Sequence, residues 1–488
     1  MIDKLINPSS DKNKVEVLFE LASRNALIGQ SELAREQYLQ VLKMEPTHLA
    51  TLINIAVLLV DEGYTSAAKT AYLQALKYHP NDRLANVNLA NLYFMEREFE
   101  KAKNHYERVL CTDADQSRSN AEHDSSVAHA HQGLALIYFE QGKQELAAYH
   151  HTQGYTRETV RVFQNQGSLS PKSLLVFIAG RGGDVPWRNV VDPAYFRVQT
   201  IAVDYFQGSI DEGKLLADHD LIFNAIGDAD SSAQSLEKAI ELIKSRTSDF
   251  PRPVINDPTA VLKTGRLNNA RRFSLLAGVR TPSTYLLNRA DLDHLGLMEE
   301  RLAQTIDFPL VVRSLGFQTG QHFEYVANFP ELVKVAKNLP GEELLLMEFL
   351  NACDKKGFFR KYRVMSINGE LYPLHLALSK HWKVHYFSAA MKDSPENRSE
   401  EQYFLEHMNQ AIGESAYKAL KQISDVMGLD YSGIDFGLSE SGDVLFFEAN
   451  STMVMALPPV DKVWDYRRGA INSAKQAATQ MLIKKASL

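Results

Sequence analysis

Apolar positions in the first part of the chain recur at helical spacing, and the whole pattern repeats. "AREQYLQVLKMEP" (Ala34–Pro46) recurs as "AKTAYLQALKYHP" (Ala68–Pro80) and as "AKNHYERVLCTDA" (Ala102–Ala114), each 34 residues after the last. An apolar helix pattern precedes each copy, and a fourth copy runs from His131 to Ala147. One helix pair cannot bury its own apolar face, so the pattern predicts an all-α helical-repeat solenoid with a concave groove.

Small and aromatic residues hold fixed places in these copies. Ala34, Ala68 and Ala102 are predicted to let paired helices approach, and the tyrosine four residues after each alanine is predicted to fill the space between repeats. The pattern closely resembles the tetratricopeptide repeat, over about Val15–Thr156. A polar insertion, "DADQSRSNAEHDSS", interrupts it and predicts a loop.

Two asparagines occupy equivalent positions of successive repeats, Asn54 and Asn88. The tetratricopeptide resemblance implies that polar residues of each first helix face the groove. An asparagine side chain can donate to and accept from a peptide backbone, so these residues are candidate contacts to a bound peptide or protein. The alternative is a solvated helix face.

The hydrophobic pattern changes after "QNQGSLSPK" (Gln164–Lys172), which is predicted to be a linker. Apolar runs of strand length follow at Leu174–Ala179, Val198–Val203, Leu221–Ile226 and Val254–Asn256, and a helical stretch precedes the last. Strands alternating with helices predict a parallel sheet. The predicted domains are therefore a solenoid at 1–163, an α/β domain at 173–258 and a two-lobed α+β domain at 259–488.

A hairpin near the C-terminus carries acidic residues. Strands are predicted at Gly433–Leu438 and Val444–Glu448, and Asp435 lies across from the end of the second strand. Glu448 and Asn450 are two residues apart and share a face. Two carboxylates and one amide oxygen are ligands suited to Mg²⁺ that bridges nucleotide phosphates.

Upstream segments predict the rest of a nucleotide site. "FPLVVRS" (Phe308–Ser314) is a predicted strand that ends at Arg313, and Gly316 and Gly320 frame the loop after it. Small residues there let backbone amides approach an anion. "EELLLMEFL" (Glu342–Leu350) is a predicted buried strand that leads into a linker able to offer backbone groups to a flat base.

These segments, in this order, resemble the ATP-grasp superfamily over roughly Leu174–Lys485, and within it the glutathione synthetase and ribosomal-protein glutamate ligase group. The segments that carry the resemblance are "VINDP", "GRLNNARRFSLLAGVRTPST", "PLVVRS", "MEFL", "YRVMSINGELYPLHLALSKHWKVHY" and the acidic hairpin. The resemblance implies nucleotide contacts from Arg266, Arg313, Met347, Glu348, Phe349 and Leu350, phosphate or acyl phosphate contacts from Arg363 and Lys380, and metal ligands Asp435, Glu448 and Asn450.

The chain departs from the family where lysine is usual, because Arg266 and Arg313 stand at those two positions. Arginine binds phosphate through a planar fork, so nucleotide binding is still expected with a different geometry. Residues Asp393–Gln402 are polar and are predicted to form a mobile loop next to the site.

Composition narrows the classes of function. The chain of 488 residues is 45% hydrophobic and 23% charged, with a formal net charge of −7, which disfavours nucleic-acid binding by general charge. Its two cysteines form no disulfide framework. Neither a signal-peptide core nor a run of about 20 apolar residues occurs, so no membrane association and a cytoplasmic location are expected.

The resemblance implies an ATP- and Mg²⁺-dependent ligase, with Mn²⁺ as an alternative ion, that joins a small carboxylate to an amine through an acyl phosphate. The repeats would hold a peptide or protein, either substrate or partner. The alternative is a non-catalytic scaffold that senses nucleotide and binds a partner through its repeats.

Overall fold

The computed structural model describes residues 8–115, 125–163, 170–180, 182–206, 218–246, 252–315, 322–384, 389, 391–458 and 461–488. The helices are α1 Pro8–Leu27, α2 Ser31–Met44, α3 Leu49–Asp61, α4 Thr65–Tyr78, α5 Arg83–Met95, α6 Phe99–Asp115, α7 Ser125–Glu140, α8 Gln144–Arg157, α9 Ala233–Arg246, α10 Pro258–Val261, α11 Arg266–Phe273, α12 Leu295–Ala303, α13 Phe329–Asn338, α14 Pro395–Glu406, α15 Met408–Ile412, α16 Glu414–Met427 and α17 Asp465–Lys485.

The strands are β1 Val160–Phe163, β2 Lys172–Ile178, β3 Phe196–Ala202, β4 Leu221–Asn224, β5 Val254–Ile255, β6 Val279–Arg280, β7 Thr284–Asn288, β8 Leu310–Ser314, β9 Phe323–Val326, β10 Glu343–Glu348, β11 Phe359–Ile367, β12 Glu370–Ser379, β13 Tyr431–Leu438 and β14 Val444–Asn450. Contacts within the chain divide it into two units, one within Met1–Ser173 and Pro193–Gly208 and the other within Leu174–Asp192 and Ser209–Leu488. The three-domain division remains a prediction.

The first unit stacks helices α1 to α8 in antiparallel pairs. Ala34, Ala68 and Ala102 are fully buried, and the tyrosines that follow them are each 1% exposed, as the repeat pattern predicts. Equivalent ion pairs also recur, since Arg35 contacts Glu62 and Lys69 contacts Glu96, both at 2.5 Å. After the last helix, β1 pairs with β3 in antiparallel orientation. The predicted helical-repeat solenoid is confirmed.

The second unit contains parallel strands near its start and two antiparallel sheets. Strand β4 lies between β2 and β5 and is parallel to both. One antiparallel sheet has the order β7-β10-β8-β9, which places the apolar run of β10 in its interior. The other has the order β12-β11-β13-β14-β6, where only the short β6 runs parallel to its neighbour. The predicted α/β and α+β classes are confirmed.

Two sequence expectations about loops need correction. Residues Asp393–Gln402, predicted as a loop, lie mostly in α14, because Ser394 accepts a hydrogen bond from the amide of Asn397 and Pro395 opens the helix. The polar composition hid these start signals. The ends of the predicted insertion loop are also helical, since α6 extends to Asp115 and α7 begins at Ser125.

Parts of three predicted segments lie outside the described residues: the middle of the insertion, the start of the Gln164–Lys172 linker and the Gly316–Gly320 loop. Among the helices that the structure describes, none combines the length and the apolar character needed to cross a membrane.

Candidate functional site

Four polar side chains form a row across the larger antiparallel sheet. His375 of β12 is opposite Arg363 of β11, Arg363 is opposite Asp435 of β13, and Asp435 is opposite Glu448 of β14. Directly opposite residues of antiparallel strands share a face and lie close together. The sheet thereby brings together residues from four strands, including the Asp435 and Glu448 predicted from the hairpin.

Asp435 is the buried centre of this row, with a side chain that is 0% exposed. Arg363 donates to both of its carboxylate oxygens, at 2.5 and 2.8 Å, and Lys361 lies 2.6 Å from one of them. Burial alone raises the pKa of a carboxyl group, but Arg363 and Lys361 outweigh it and hold the pKa of Asp435 well below its usual value. Asp435 is therefore an anion throughout the physiological pH range.

Arg266 joins the row from the first residue of α11. Its guanidinium group lies 2.6 Å from Glu448 Oε1 and 2.7 Å from Asp230 Oδ2. The Arg266 amide also donates to Asp230, so this carboxylate caps the helix. The close approach needs Gly265, because a Cβ there would lie 2.6 Å from Asp230 Oδ1.

Arginine side chains control the ionisation of Glu448. Burial by itself raises its pKa, but Arg266 and Arg313 lower it below the usual value. Burial lowers the pKa of Arg313, and so does the neighbouring Arg266, while Glu448, Asp228 and Asp230 oppose this. Arg313 of β8 therefore lies within electrostatic range of the same carboxylates as Arg266, the other arginine predicted to contact nucleotide.

The carboxylate and amide oxygens of the predicted metal ligands already have partners. Asn450 Oδ1 accepts from the amide and hydroxyl of Thr452, at 3.0 and 2.9 Å. No group of three or more His, Cys, Asp or Glu side chains in the described part of the chain is arranged to hold a metal ion. Asp435, Glu448 and Asn450 nevertheless carry the kind of oxygen atoms that a hard cation binds. The arginine and lysine side chains would have to leave these carboxylates and pair with other anions.

The predicted base linker is partly engaged with the protein. The amides of Glu348 and Phe349 donate to the carbonyls of Ser283 and Pro309, at 2.8 and 3.0 Å. The Glu348 carboxylate lies 2.6 Å from Arg280. Leu350 is buried. These contacts leave the amides of Glu348 and Phe349 satisfied without a base.

Met347 shares a small cleft with the charged cluster. The residues that line this cleft are Arg266, Asn269, Ala270, Pro282, Thr284, Met347, Phe446, Phe447, Glu448 and Ala449. A residue of the predicted base linker, a predicted phosphate contact and a predicted metal ligand therefore line one space between β10 and β14.

Of the two predicted catalytic cations, Arg363 is in the row, whereas Lys380 lies beyond the end of β12. The Lys380 ammonium is 5.5 Å from the centre of the Phe358 ring. Lys361, which contacts Asp435, is the second cation at the row.

Sequence reasoning missed Asp228 and Asp230. They follow the buried strand β4 in "LIFNAIGDAD", and acidic residues after a strand of a parallel sheet were a usable signal, because such sheets bind ligands at the carboxyl ends of their strands.

In the repeats, the two predicted groove residues lie beside tyrosines. Asn54 Nδ2 lies 3.3 Å from the Tyr38 hydroxyl. One repeat later, Asn88 partly offsets the rise that burial causes in the pKa of Tyr72. Both asparagines are half-buried. The Asn54 amide thus satisfies a phenol group between repeats, and contact of either asparagine with a peptide remains a prediction.

A family model described as tetratricopeptide repeat matches residues 49–82, which confirms the resemblance there. No curated protein sequence matches the chain significantly. Among solved structures, the VanG D-Ala:D-Ser ligase from Enterococcus faecalis is 15% identical, covers 65% of this chain and 100% of its own, and has a TM-score of 0.37. The protein MamA is 20% identical, covers 31% and 81%, and has a TM-score of 0.26. At such TM-scores, function has to be argued from the residues of this chain.

Proposed function

We propose that the second unit is an ATP- and Mg²⁺-dependent ligase that joins a carboxylate to an amine through an acyl phosphate. The observation that carries this proposal is the cluster of opposite charges in and beside the cross-strand row. Its cations are Lys361, Arg363, Arg266 and Arg313, and its carboxylates are Asp435, Glu448, Asp230 and Asp228. A site that acts on a polyphosphate with a hard cation needs cationic side chains for the phosphates and carboxylates for the cation, close together.

The ion pairs allow the cluster to bind phosphate and metal without leaving a charged side chain unpaired. Arg266 neutralises Glu448 and Arg363 neutralises Asp435, at 2.6 and 2.5 Å. An unpaired buried charge costs several kcal/mol. With nucleotide bound, the arginines would hold phosphate oxygens and the carboxylates would hold the metal. Each charged group would then keep an opposite charge.

The residues have separate roles in this proposal. Arg266 and Arg313 hold nucleotide phosphates, and Arg363 with Lys361 holds the acyl phosphate. Asp435, Glu448 and Asn450 would hold Mg²⁺, which supplies positive charge beside the transferring phosphoryl group. The base would lie against Met347 and Leu350. Lys380 remains a proposed substrate contact that would have to approach from the strand end.

The repeats would hold a peptide or protein, either the substrate or a partner enzyme. Tetratricopeptide-like stacking produces an extended concave surface, which suits a polypeptide better than a small molecule. Asn54 donates to Tyr38 through its amide nitrogen and keeps its amide oxygen as an acceptor for a peptide backbone. Asn88 holds the equivalent position in the next repeat and is proposed to act in the same way.

One observation favours the second candidate, a nucleotide-sensing scaffold without turnover. Asp435 has both oxygens engaged by Arg363 and Lys361, so the cluster binds no metal unless these contacts break. A site that kept these pairs would bind phosphate through Arg266 and Arg313 alone. The two candidates differ in whether ADP appears.

The test measures ADP release from ATP by the full chain with Mg²⁺ and a panel of amino acids and short peptides. We expect release that depends on both a carboxylate and an amine, and that falls at least 100-fold in Glu448→Gln and Asp435→Asn, on the scale of lost transition-state charge stabilisation. ATP should also bind weakly without Mg²⁺. The control is Glu440→Gln, at an exposed glutamate in the turn between β13 and β14.

Undiminished ADP release in both site variants would remove the metal assignment. Tight ATP binding without release for any substrate pair would favour the scaffold.

A further inference from the structure

Asn269 of α11 is a buried residue whose amide group is only half satisfied. Its side chain is 1% exposed. Its Nδ2 donates to the carbonyls of Thr264 and Ala449, at 2.8 and 2.9 Å. The second bond satisfies a β14 carbonyl that lies beyond Val444 and Leu445, the two β14 residues that pair with β6. The two carbonyl partners accept only, so they fix the amide orientation with nitrogen toward them.

The Asn269 Oδ1 atom is the unsatisfied half. It is enclosed and has no hydrogen-bond partner among the described residues. A buried acceptor without a donor costs free energy, and such atoms in native proteins need an explanation. The Nδ2 atom already holds the local backbone together, so the missing partner is a donor. Arg266 Nε, one helical turn away, is also unpaired, but Asp230 and Glu448 hold the Arg266 guanidinium group, and it does not donate to Asn269.

The surroundings restrict the kind of donor. Asn269 lines the cleft between β10 and β14 with Met347, Phe446 and Phe447, and the Arg266–Glu448 pair lies on the same cleft. Apolar walls disfavour a charged group at the oxygen. Phosphate oxygens accept hydrogen bonds and cannot satisfy it. The fitting partner is an uncharged donor next to a polyanion.

We propose that Asn269 Oδ1 accepts a hydrogen bond from the nucleoside part of the bound nucleotide, either the amino group of the base or a hydroxyl of the ribose. Asn269 then contributes to nucleotide specificity: its Nδ2 atom holds the β14 backbone, and its Oδ1 atom accepts from the nucleoside. This assignment rests on the proposed function, because it takes the cleft beside Arg266 as the nucleotide site.

Calorimetric titration of the full chain with ADP, inosine diphosphate, 2′-deoxyADP and 3′-deoxyADP, each with Mg²⁺, tests the assignment without turnover. Inosine diphosphate lacks the amino group, and each deoxy analogue lacks one hydroxyl. We expect one analogue to bind about 5- to 150-fold more weakly than ADP, the effect of leaving a buried acceptor unpaired. The analogue that loses affinity identifies the donor.

Asn269→Ala completes the test as a cycle. We expect this variant to bind ADP more weakly and to lose most of the preference between ADP and the discriminated analogue, because the acceptor is gone. A general loosening of the cleft would weaken all four nucleotides equally. The matched control is Asn268→Ala: this exposed neighbour also donates from its amide to a carbonyl, that of Lys263, at 2.6 Å. Its preference should match the wild type.

The outcomes separate the two claims. Equal affinity of the wild type for all four nucleotides overturns the Asn269 assignment and leaves the proposed function standing. If Asn269→Ala keeps the full preference for ADP over that analogue, the assignment is also overturned, because another group then accepts the hydrogen bond from the donor. No binding of any nucleotide by the wild type overturns the proposed function and this assignment together. If Asn269→Ala does not fold, Asn269→Leu, which keeps the size of the side chain and also lacks the acceptor, takes its place in the cycle.

Discussion

The two units satisfy their buried polar groups in different ways. In the repeats, polar groups pair over short sequence distances: Asn54 and Tyr38, a neutral pair, are 16 residues apart, and the ion pair Arg35–Glu62 spans 27. In the second unit, charged groups pair over long distances, as Arg266 does with Glu448, 182 residues away. A neutral pair repeated along a solenoid gives each repeat a small, separate contribution. A charge cluster assembled from distant segments makes one site that depends on the whole unit.

This difference implies different consequences of mutation. Removing a neutral partner leaves one phenol or amide unsatisfied, which costs about 1 kcal/mol. Removing one charge from a buried pair leaves its partner uncompensated, which costs several times more. On the proposed function, the protein retains these charged side chains despite that cost, because phosphate and metal replace their internal partners.

The largest effect is expected for Asp435→Asn. The substitution keeps the shape of the side chain but leaves Arg363 and Lys361 without their shared anion, and we expect the free energy of unfolding of the second unit to fall by about 3 kcal/mol. All three tryptophans, Trp187, Trp382 and Trp464, lie in this unit, so their fluorescence in a denaturant titration reports on it.

The control for that measurement is Asp393→Asn, which removes an exposed carboxylate of the same kind. It should change the stability by less than about 0.5 kcal/mol. Equal stability of Asp435→Asn and the wild type would mean that the buried cluster behaves energetically like the neutral pairs of the repeats.

The second prediction moves from stability to binding. Arg313→Ala should weaken binding of a non-hydrolysable ATP analogue by about 1.5–3 kcal/mol, or about 10- to 150-fold, because a charge-assisted contact in a partly buried site is lost. Arg313→Lys should recover part of this, since lysine supplies the charge without the fork. Calorimetry measures both, with exposed Arg271→Ala as the arginine control. Unchanged affinity in Arg313→Ala would remove β8 from the nucleotide site.

The contrast between the units also explains what the sequence could and could not predict. The 34-residue period placed the buried alanines and tyrosines correctly, because repeats are built from local contacts. Alternation along β13 and β14 likewise predicted that Asp435 and Glu448 lie opposite each other. These features depend on one period or one hairpin.

The charge pairing could not be predicted, because it depends on how distant segments meet. The sequence indicated that Arg363 and Asp435 both contact ligand, but their direct ion pair follows from the adjacency of β11 and β13, 72 residues apart. The pairing of Asp230 with Arg266, 36 residues away on another element, was unpredictable for the same reason, although the place of Asp230 after β4 was a usable signal. The helix at Asp393–Gln402 was missed because polar composition outweighed the Ser394-Pro395 start signal.

The third prediction uses pH to isolate Asp435. Its pKa is lower in the folded protein than in the unfolded chain, so its stabilising effect is complete above the unfolded value near 4 and is lost as pH falls below it. Below that pH the wild type should lose up to about 1.4 kcal/mol per pH unit more than Asp435→Asn does. Fluorescence-detected denaturation between pH 5 and pH 2 measures the difference. Parallel curves for the two proteins would show that Asp435 binds no additional proton on unfolding.

The smallest effect is expected in the repeats, for Asn54→Ala. The substitution leaves the hydroxyl of Tyr38, a residue that is 1% exposed, without its amide donor, so local stability should fall by about 1 kcal/mol. Hydrogen exchange of the α2 and α3 amides in the full chain measures this local loss, and tryptophan fluorescence of the second unit should not change. Exposed Asn104→Ala on α6 is the control.

A double-mutant cycle with Tyr38→Phe separates the hydrogen bond from other lost contacts. If the pair acts as one neutral unit, Asn54→Ala should cost much less in the Tyr38→Phe background, because no hydroxyl remains to be left unsatisfied. An equal cost in both backgrounds would assign the effect of Asn54 to its other contacts. A cost of 3 kcal/mol or more would contradict the contrast between the units, since a neutral repeat contact would then matter as much as a buried charge.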